Sequence, residues 1–230
     1  MTRQYVAFIR HGDYLQIKGA PSAYQPFPLN EDGVNQARDA ADELSALAEK
    51  YDFVFDPVIN SSTLLRAWQT AEVIRQNLDG IARISSFDAL AERSVGAVAN
   101  LDAHSIEEIL EIDPRFEVPP KNWKSNSHYR LPFIGAESLM EAGKRVAEHI
   151  KKSLMQPKSD DGQKRLKLFV GHGAAFRHAA HHLGILRFEE IAPLSMYHAK
   201  PIVFEVLENG QWQHVAGHWK QRKTTEEYTD

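Results

Sequence analysis

The chain has no cysteine in 230 residues. That absence excludes disulfide bridges, thiolate catalysis and cysteine-ligated metal sites, and it leaves the redox compartment open. An excess of positive charge is also missing: 27 Lys and Arg stand against 31 Asp and Glu, a formal net charge of -4. Neither a nucleic acid nor an anionic membrane is favoured as a partner, so any anion must be held locally. No apolar run approaches the roughly 20 residues that span a bilayer. The first apolar run is too short and wrongly flanked for a secretory signal, so a cytoplasmic location is the expectation. Low-complexity blocks and repeat arrays are absent as well. What remains is 43% hydrophobic and 25% charged, a globular composition with enough length for one large core. The oligomeric state is left open, a dimer included.

Strand and helix patterns alternate along the chain. "QYVAFI" (4 to 9) is apolar and β-rich, and Val34, Ala37, Ala41, Leu44 and Ala48 then recur at the spacing of an amphipathic helix. "FVFDPVI" (53 to 59) repeats the strand signal, weakened by Pro57. A helix over 64 to 78 closes near Gly80, and a weak strand follows at 82 to 87. Regularity fades from 111 to 136, which holds Pro114, Pro119, Pro120 and Pro132. A long loop of this kind in a compact protein is often a functional lid. Leu139, Ala142, Val146, Ile150 and Leu154 mark a third helix, "QPKSDDGQKR" (156 to 165) a polar connection, and "LKLFV" (166 to 170) a strand leading into a helix near 174 to 183. Two strands joined around Asn209-Gly210 complete the pattern before a charged tail.

One internal echo carries chemistry: "AFIRHGD" (7 to 13) and "LFVGHGA" (168 to 174) each run an apolar strand into His-Gly. Ligands of open α/β sheets bind outside the carboxyl ends of the strands, so His11 and His172 are placed to face each other across one pocket. Glycine after each histidine frees the local backbone and lets main-chain N–H groups approach an anion. Arg10 and Arg66, each at the end of a strand pattern, can join the same rim. Two arginines and two histidines suit a phosphate, whose oxygens match the guanidinium fork, and suit a phosphoryl transition state better still. A neutral imidazole attacks phosphorus to form a phosphohistidine. The departing alkoxide then needs a proton, for which Glu92 in "LAERSVG" is the candidate.

"RHG" (10 to 12), "SSTLLRAWQTA" (61 to 71), "LAERSVGA" (90 to 97), "GAES" (135 to 138) and "VGHGAAFRH" (170 to 178), in that order, resemble the histidine phosphatase superfamily, the phosphoglycerate mutase-like proteins. The resemblance implies an α/β protein, a three-layer α/β/α sandwich with a mainly parallel central sheet. It implies one domain over 1–230, with a lid-like excursion at about 97–136 and a loose charged tail from about 220. It further implies that His11 is the phosphorylated nucleophile, that Arg10, Arg66 and a protonated His172 hold the phosphoryl group, and that Glu92 is the proton donor. Gly12 and Gly173 would pack tightly at the substrate pocket, and no metal or other cofactor is expected.

The resulting expectation is a metal-independent phosphomonoesterase of the histidine acid phosphatase type, acting on a small phosphorylated metabolite or a phosphoprotein. Lys121, Lys124 and Arg130 in the excursion are candidates for meeting a second acidic group. Phosphoglycerate mutase-type transfer is the alternative. Against it, Val95 stands where those mutases carry tyrosine, Ala174 where they carry asparagine and Asp13-Tyr14 where they carry Glu-Ser, and no adjacent Arg-Arg pair lies between 97 and 135. A phospho-ligand binding or scaffolding module with little turnover is the alternative of another class. His178, His181 and His182 fall at ligand-like helical spacing but lack the glutamate of a zinc motif, so exposed or core-edge histidines are expected there. Trp212, Trp219 and Tyr197 are expected in the core or at its rim.

Overall fold

The computed structural model describes residues 4–17, 19–21, 24–155 and 162–222. Along the chain run β1 (Gln4–Arg10), α1 (Glu31–Tyr51), β2 (Phe53–Phe55), β3 (Val58–Ser62), α2 (Leu65–Asn77), β4 (Arg83–Phe87), α3 (Ala103–Ile112), α4 (Leu139–Leu154), β5 (Lys164–Gly171), α5 (Gly173–His182), α6 (Phe188–Ile191), β6 (Leu194–Ser195), β7 (Pro201–Val206), β8 (Trp212–Ala216) and β9 (Lys220–Gln221). The main sheet has the order β4-β3-β5-β1-β7-β8, with β2 beside β5. Strands β4, β3, β5, β2 and β1 pair in parallel, while β7 and β8 add an antiparallel edge.

The period-2 geometry of a strand explains the layers. Tyr5, Ala7 and Ile9 of β1 point to one face, against Ala40 and Leu44 of α1 and Ala67 and Ile74 of α2. Val6 and Phe8 point to the other, against Val146 and Ile150 of α4 and Phe176 and Ala179 of α5. A strand apolar on both sides needs helices on both, which is the three-layer arrangement. Helix α4 begins where "GAES" ends. Ser138 Oγ accepts from Glu141 N while Glu141 Oε2 accepts from Ser138 N, a capping box that fixes the first turn.

The stretch 53 to 59 forms two strands rather than one. Pro57 has no N–H to donate. Asp56 makes the break, its N–H donating to Leu166 O while its carboxylate accepts from Val58 N and pairs with Lys167 Nζ at 3.0 Å. The excursion also departs from expectation. Asp102 caps α3, and Ile106 and Leu110 pack with Val95, Val98, Leu131 and Trp123 in an apolar cluster of their own. Trp123 is 1% exposed and its Nε1 donates to Glu107 Oε1. Residues 220–221, read as tail, pair with Leu194–Ser195 as β9 against β6. The rest of the charged tail, and 156–161 of the polar connection, lie outside the described residues.

The loop after β1 rests on the first turn of α1 through a contact only two glycines allow. A Cβ on Gly12 would lie 2.4 Å from Gly33 O, and one on Gly33 would lie 1.9 Å from Asp13 O. Gly33→Ala is therefore expected to cost about 3 kcal/mol of stability and to lower Tm by roughly 6 to 12 °C. A thermal melt shifted by less than about 2 °C would contradict this packing, since even 1 kcal/mol moves a domain of this size that far.

Candidate active site

Strands β1 and β5 are neighbours in parallel register, with Arg10 opposite Gly171. The residues that follow each strand, His11 and His172, must therefore emerge side by side. Their ring centroids are 5.1 Å apart. His11 is 2% exposed and His172 is fully buried.

Hydrogen bonding sets the tautomer of both rings. His11 Nδ1 donates to Gly12 O at 2.7 Å, so in the neutral ring the lone pair sits on Nε2, where it accepts from Arg66 Nε at 3.2 Å. His172 Nδ1 faces Arg66 Nη2 at 3.2 Å, and because guanidinium only donates, this nitrogen accepts. Its Nε2–H then donates to Ser62 Oγ at 2.9 Å, an oxygen that also accepts from Leu64 N.

Arg66 is the hub of the site. Completely buried in the first turn of α2, it reaches both histidines, donates Nη1 to Gln25 O and lies 4.6 Å over the Tyr14 ring. Thr70, one turn on, donates to Arg66 O and accepts from Gly12 N. The N–H of Gly12 is thus engaged within the protein, a correction to the expectation that it would approach an anion; the glycine is there for its contact with Gly33. Gly173 behaves as expected of a close approach: a Cβ there would lie 3.2 Å from Arg10 Cδ. Arg10 Nη1 donates to Met196 O, while its buried Nε has no hydrogen-bond partner, so an orphaned donor faces the histidine end of the site.

Electrostatics follow from this crowding of cations in a dry place. Burial first, then Arg66, the neighbouring His172 and Arg10, hold the His11 pKa well below its usual value. His172 is depressed in the same way, by burial and then by Arg66, Arg10 and Arg145. The crowding of guanidiniums around a buried ring disfavours the charged form of His172 when no anion is present.

Glu92 sits in the turn after β4, buried beside the start of α5. Its Oε1 accepts from Arg93 N at 2.9 Å and Ala175 N at 3.1 Å, and it is near enough to support the charge on Arg66. Arg145 of α4 secures this turn, donating to the carbonyls of Asp88, Ala89 and Ala91 and pairing with Glu137 at 2.6 Å. Glu137 also accepts from Ser94 N, which is the structural use of its place in "GAES".

The three basic residues of the excursion separate. Lys124 lines a cavity of about 250 Å³ beside Glu92. Lys121 is exposed, and Arg130 is exposed and spans to Glu141 at 3.5 Å; neither lines that cavity. His178 is buried rather than at the core edge: its Nδ1 donates to Ala174 O and its Nε2 meets Ser127 Oγ. His181 and His182 bond separately to Leu186 O and Met140 O. Among the described residues no group of three or more His, Cys, Asp or Glu is placed to hold a metal ion. No helix among them is long and apolar enough to cross a membrane.

His198 is the main residue that motif reading missed. Its ring lies 5.7 Å from that of His11, and burial, Arg10 and Lys220 push its pKa down to about 4 against the opposing pull of Asp13. It comes from the turn between β6 and β7, where "MYHAKP" carries no recognisable signal. Tyr14, Ser62 and Thr70 lay within quoted stretches without a role of their own, and Arg145 was unmarked.

Two histidines and two arginines gather at the carboxyl ends of the parallel strands of an α/β/α protein, where ligands of such sheets bind. Residues 6–219 match the family model of the histidine phosphatase superfamily, branch 1, and the chain belongs to that superfamily. Comparison with curated protein sequences finds no match. Among solved structures, the fold is similar to that of a mycobacterial glucosyl-3-phosphoglycerate phosphatase, with a TM-score of 0.68 at 18% identity over 92% of this chain and 97% of that one. A second mycobacterial protein, described as hydrolase 1, superposes with a TM-score of 0.69 at 18% identity over 93% and 97%. An Entamoeba histolytica phosphoserine phosphatase, solved with 3-phosphoglyceric acid, superposes at 0.61 with 15% identity over 96% and 98%.

Proposed function

We propose that this protein is a phosphomonoesterase that works through a phosphohistidine at His11, on a small phosphorylated metabolite. The observation that carries this reading is the arrangement on His11: a proton fixed on Nδ1 by Gly12 O, a lone pair on Nε2, and a guanidinium at that same nitrogen. Burial keeps the ring neutral, which is the protonation state a nucleophile needs.

An arriving phosphate dianion gives the guanidinium of Arg66 and the orphaned Arg10 Nε an oxygen to bind in place of ring nitrogens, freeing His11 Nε2. That lone pair attacks phosphorus, the P–N bond forms, and the P–O bond to the leaving alkoxide breaks. Arg10 and Arg66 offset the charge on the equatorial oxygens, the electrostatic work that dominates phosphoryl transfer. Bound phosphate also restores the counter-charge that His172 lacks, so the ring takes up a proton in the complex rather than before it. Glu92 supplies the proton to the leaving oxygen. Two backbone N–H groups anchor its Oε1 and so position the carboxyl. In the second half-reaction Glu92 takes a proton from water, the oxygen attacks phosphorus, and the P–N bond breaks.

Hydrolysis is favoured over mutase-type transfer by what surrounds the site. Val95 is buried in the cluster of the excursion and Ala174 lines the cavity, two positions at which the mutases carry polar side chains. A mutase must hold and reorient its intermediate, whereas a phosphatase need only admit water.

Glu92→Gln tests the assignment. Loss of a positioned proton donor is expected to reduce kcat for an alkyl phosphate by about 10² to 10⁴-fold. For an aryl phosphate, whose leaving group needs little help, the loss should be far smaller. Equal losses on the two esters would remove Glu92 from the acid role. Activity should persist in excess chelator, and its disappearance there would contradict the metal-free route.

A further inference from the structure

His198 reaches the nucleophile from the turn between β6 and β7, and Arg10 fastens that turn at both ends. Arg10 Nη1 donates to Met196 O at 3.0 Å, and Ala199 N donates to Arg10 O at 2.9 Å. Between these bonds the His198 ring lies 5.7 Å from that of His11, inclined by 31°. Ala199 takes the left-handed backbone conformation, with φ 50°, although it carries a Cβ that disfavours it. The packing of this fully buried residue must therefore hold the turn in shape. Strain of this kind collects where a site requires one particular geometry.

The ring so presented has nothing to bond. It is half-buried, and neither nitrogen makes a hydrogen bond to any described residue. The charges that face it are Arg10 of β1, Asp13 of the loop after β1 and Lys220 of β9. Asp13 is committed elsewhere, its Oδ1 accepting from Tyr14 N and its Oδ2 from Asn30 Nδ2. Lys200, on the same turn as His198, pairs with Glu43 at 2.9 Å. Cations thus prevail around the ring. Arg10 also acts on the ionisation of His11 and His172, so its guanidinium sits among all three rings, and its buried Nε is itself without a partner. A polar group drawn out of water without a partner is unfavourable, and two such groups stand beside one nucleophile. One anion at His11 would satisfy both.

We infer that His198 is a further catalytic residue, a donor from the β6–β7 turn to a non-bridging oxygen of the phosphoryl group at His11, on the side of Arg10. This inference rests on the phosphatase reading for the group that occupies the site. Without a ligand the ring is neutral, because burial and then Arg10 hold its pKa down to about 4. The negative charges of a bound phosphate reverse that balance, so the ring takes up a proton as the anion arrives and becomes a charged donor.

Calorimetric titration with inorganic phosphate at pH 6 tests this, and repeating it in buffers of different ionisation enthalpy counts the protons taken up. His198→Phe keeps an aromatic ring beside His11 but no donor. It should weaken phosphate binding by at least about tenfold, the contribution of one charge-assisted hydrogen bond. His198→Gln keeps a neutral donor, so it should bind more tightly than His198→Phe yet take up fewer protons than the wild type. Tyr197→Ala, at an exposed side chain of the same turn, should leave both quantities unchanged. A smaller loss in His198→Phe, or a proton count in His198→Gln equal to that of the wild type, overturns the inference, since a ring that only packs gives both. The proton count decides alone if His198→Phe does not fold. Hydrolysis of 4-nitrophenyl phosphate by the wild-type protein reports separately on the phosphatase reading. Hydrolysis together with His198 variants that bind like the wild type removes His198 alone, phosphate held through His198 without hydrolysis removes turnover alone, and a wild type that binds no phosphate removes both.

Discussion

Replacing His11 with alanine is expected to lower kcat for a simple aryl phosphate by at least about 10⁴-fold, because the covalent route has no second nucleophile to take over. His172 is the nearest alternative, yet Ser62 and Arg66 occupy both of its ring nitrogens. His198 lies 5.7 Å from the His11 ring, and no hydrogen bond among the described residues fixes its tautomer as Gly12 O fixes that of His11. The substitution removes one hydrogen bond, from Nδ1 to Gly12 O, at a stability cost of about 1 kcal/mol. A folded protein with the activity gone is thus the expected combination, read by circular dichroism and steady-state kinetics together. The same burial that keeps His11 neutral sets the pH dependence. With its pKa held well below 6.5, the acid limb of kcat/KM should fall far below that of a solvent-exposed imidazole. An activity that halves near pH 6.5 through a single ionisation would place the essential group elsewhere.

Arg66→Lys should lower kcat by about 10² to 10³-fold, the usual effect of losing a preorganised donor to the developing charge. Lysine preserves the charge but not the fork. Arg66 meets His11 Nε2, His172 Nδ1 and Gln25 O through three separate nitrogens, a geometry one ammonium cannot reproduce. The stack on Tyr14 is weakened as well. The hub role is contradicted if the lysine variant, shown to be folded, stays within about fivefold of wild type, less than removal of one such donor costs.

How much of this could be read from the chain follows the range of the interactions involved. His11 and His172 were legible because each follows directly on a strand, and the parallel register of β1 and β5 converts a sequence echo into spatial proximity; Arg66 was legible at the start of the helix that follows β3. The burial of Tyr5 to Ile9 on both faces of β1 was legible in the unbroken apolar run. Helix α3 was not, since it has only 10 residues, of which Ile106 and Leu110 are its buried positions, just ahead of a stretch marked by prolines. Its signal was present in Asp102, a cap for Ser105 N, and in the spacing of those two residues. His198 and Arg145 were invisible for a different cause. They reach the site across long separations in sequence, and their own neighbours form no pattern. Gly12 was found for a partly wrong reason, because no local rule predicts that Gly33 would occupy the space beside it.

The central claim is that phosphoryl passes through His11. Rapid acid-free quenching of the wild-type protein during turnover of a labelled aryl phosphate, in excess chelator, tests this directly by peptide mapping. The account predicts an acid-labile, base-stable phosphoryl group on His11, appearing with a burst of released phenol and absent from the His11→Ala protein. Turnover with no covalent label, or a label on any other residue, would contradict it.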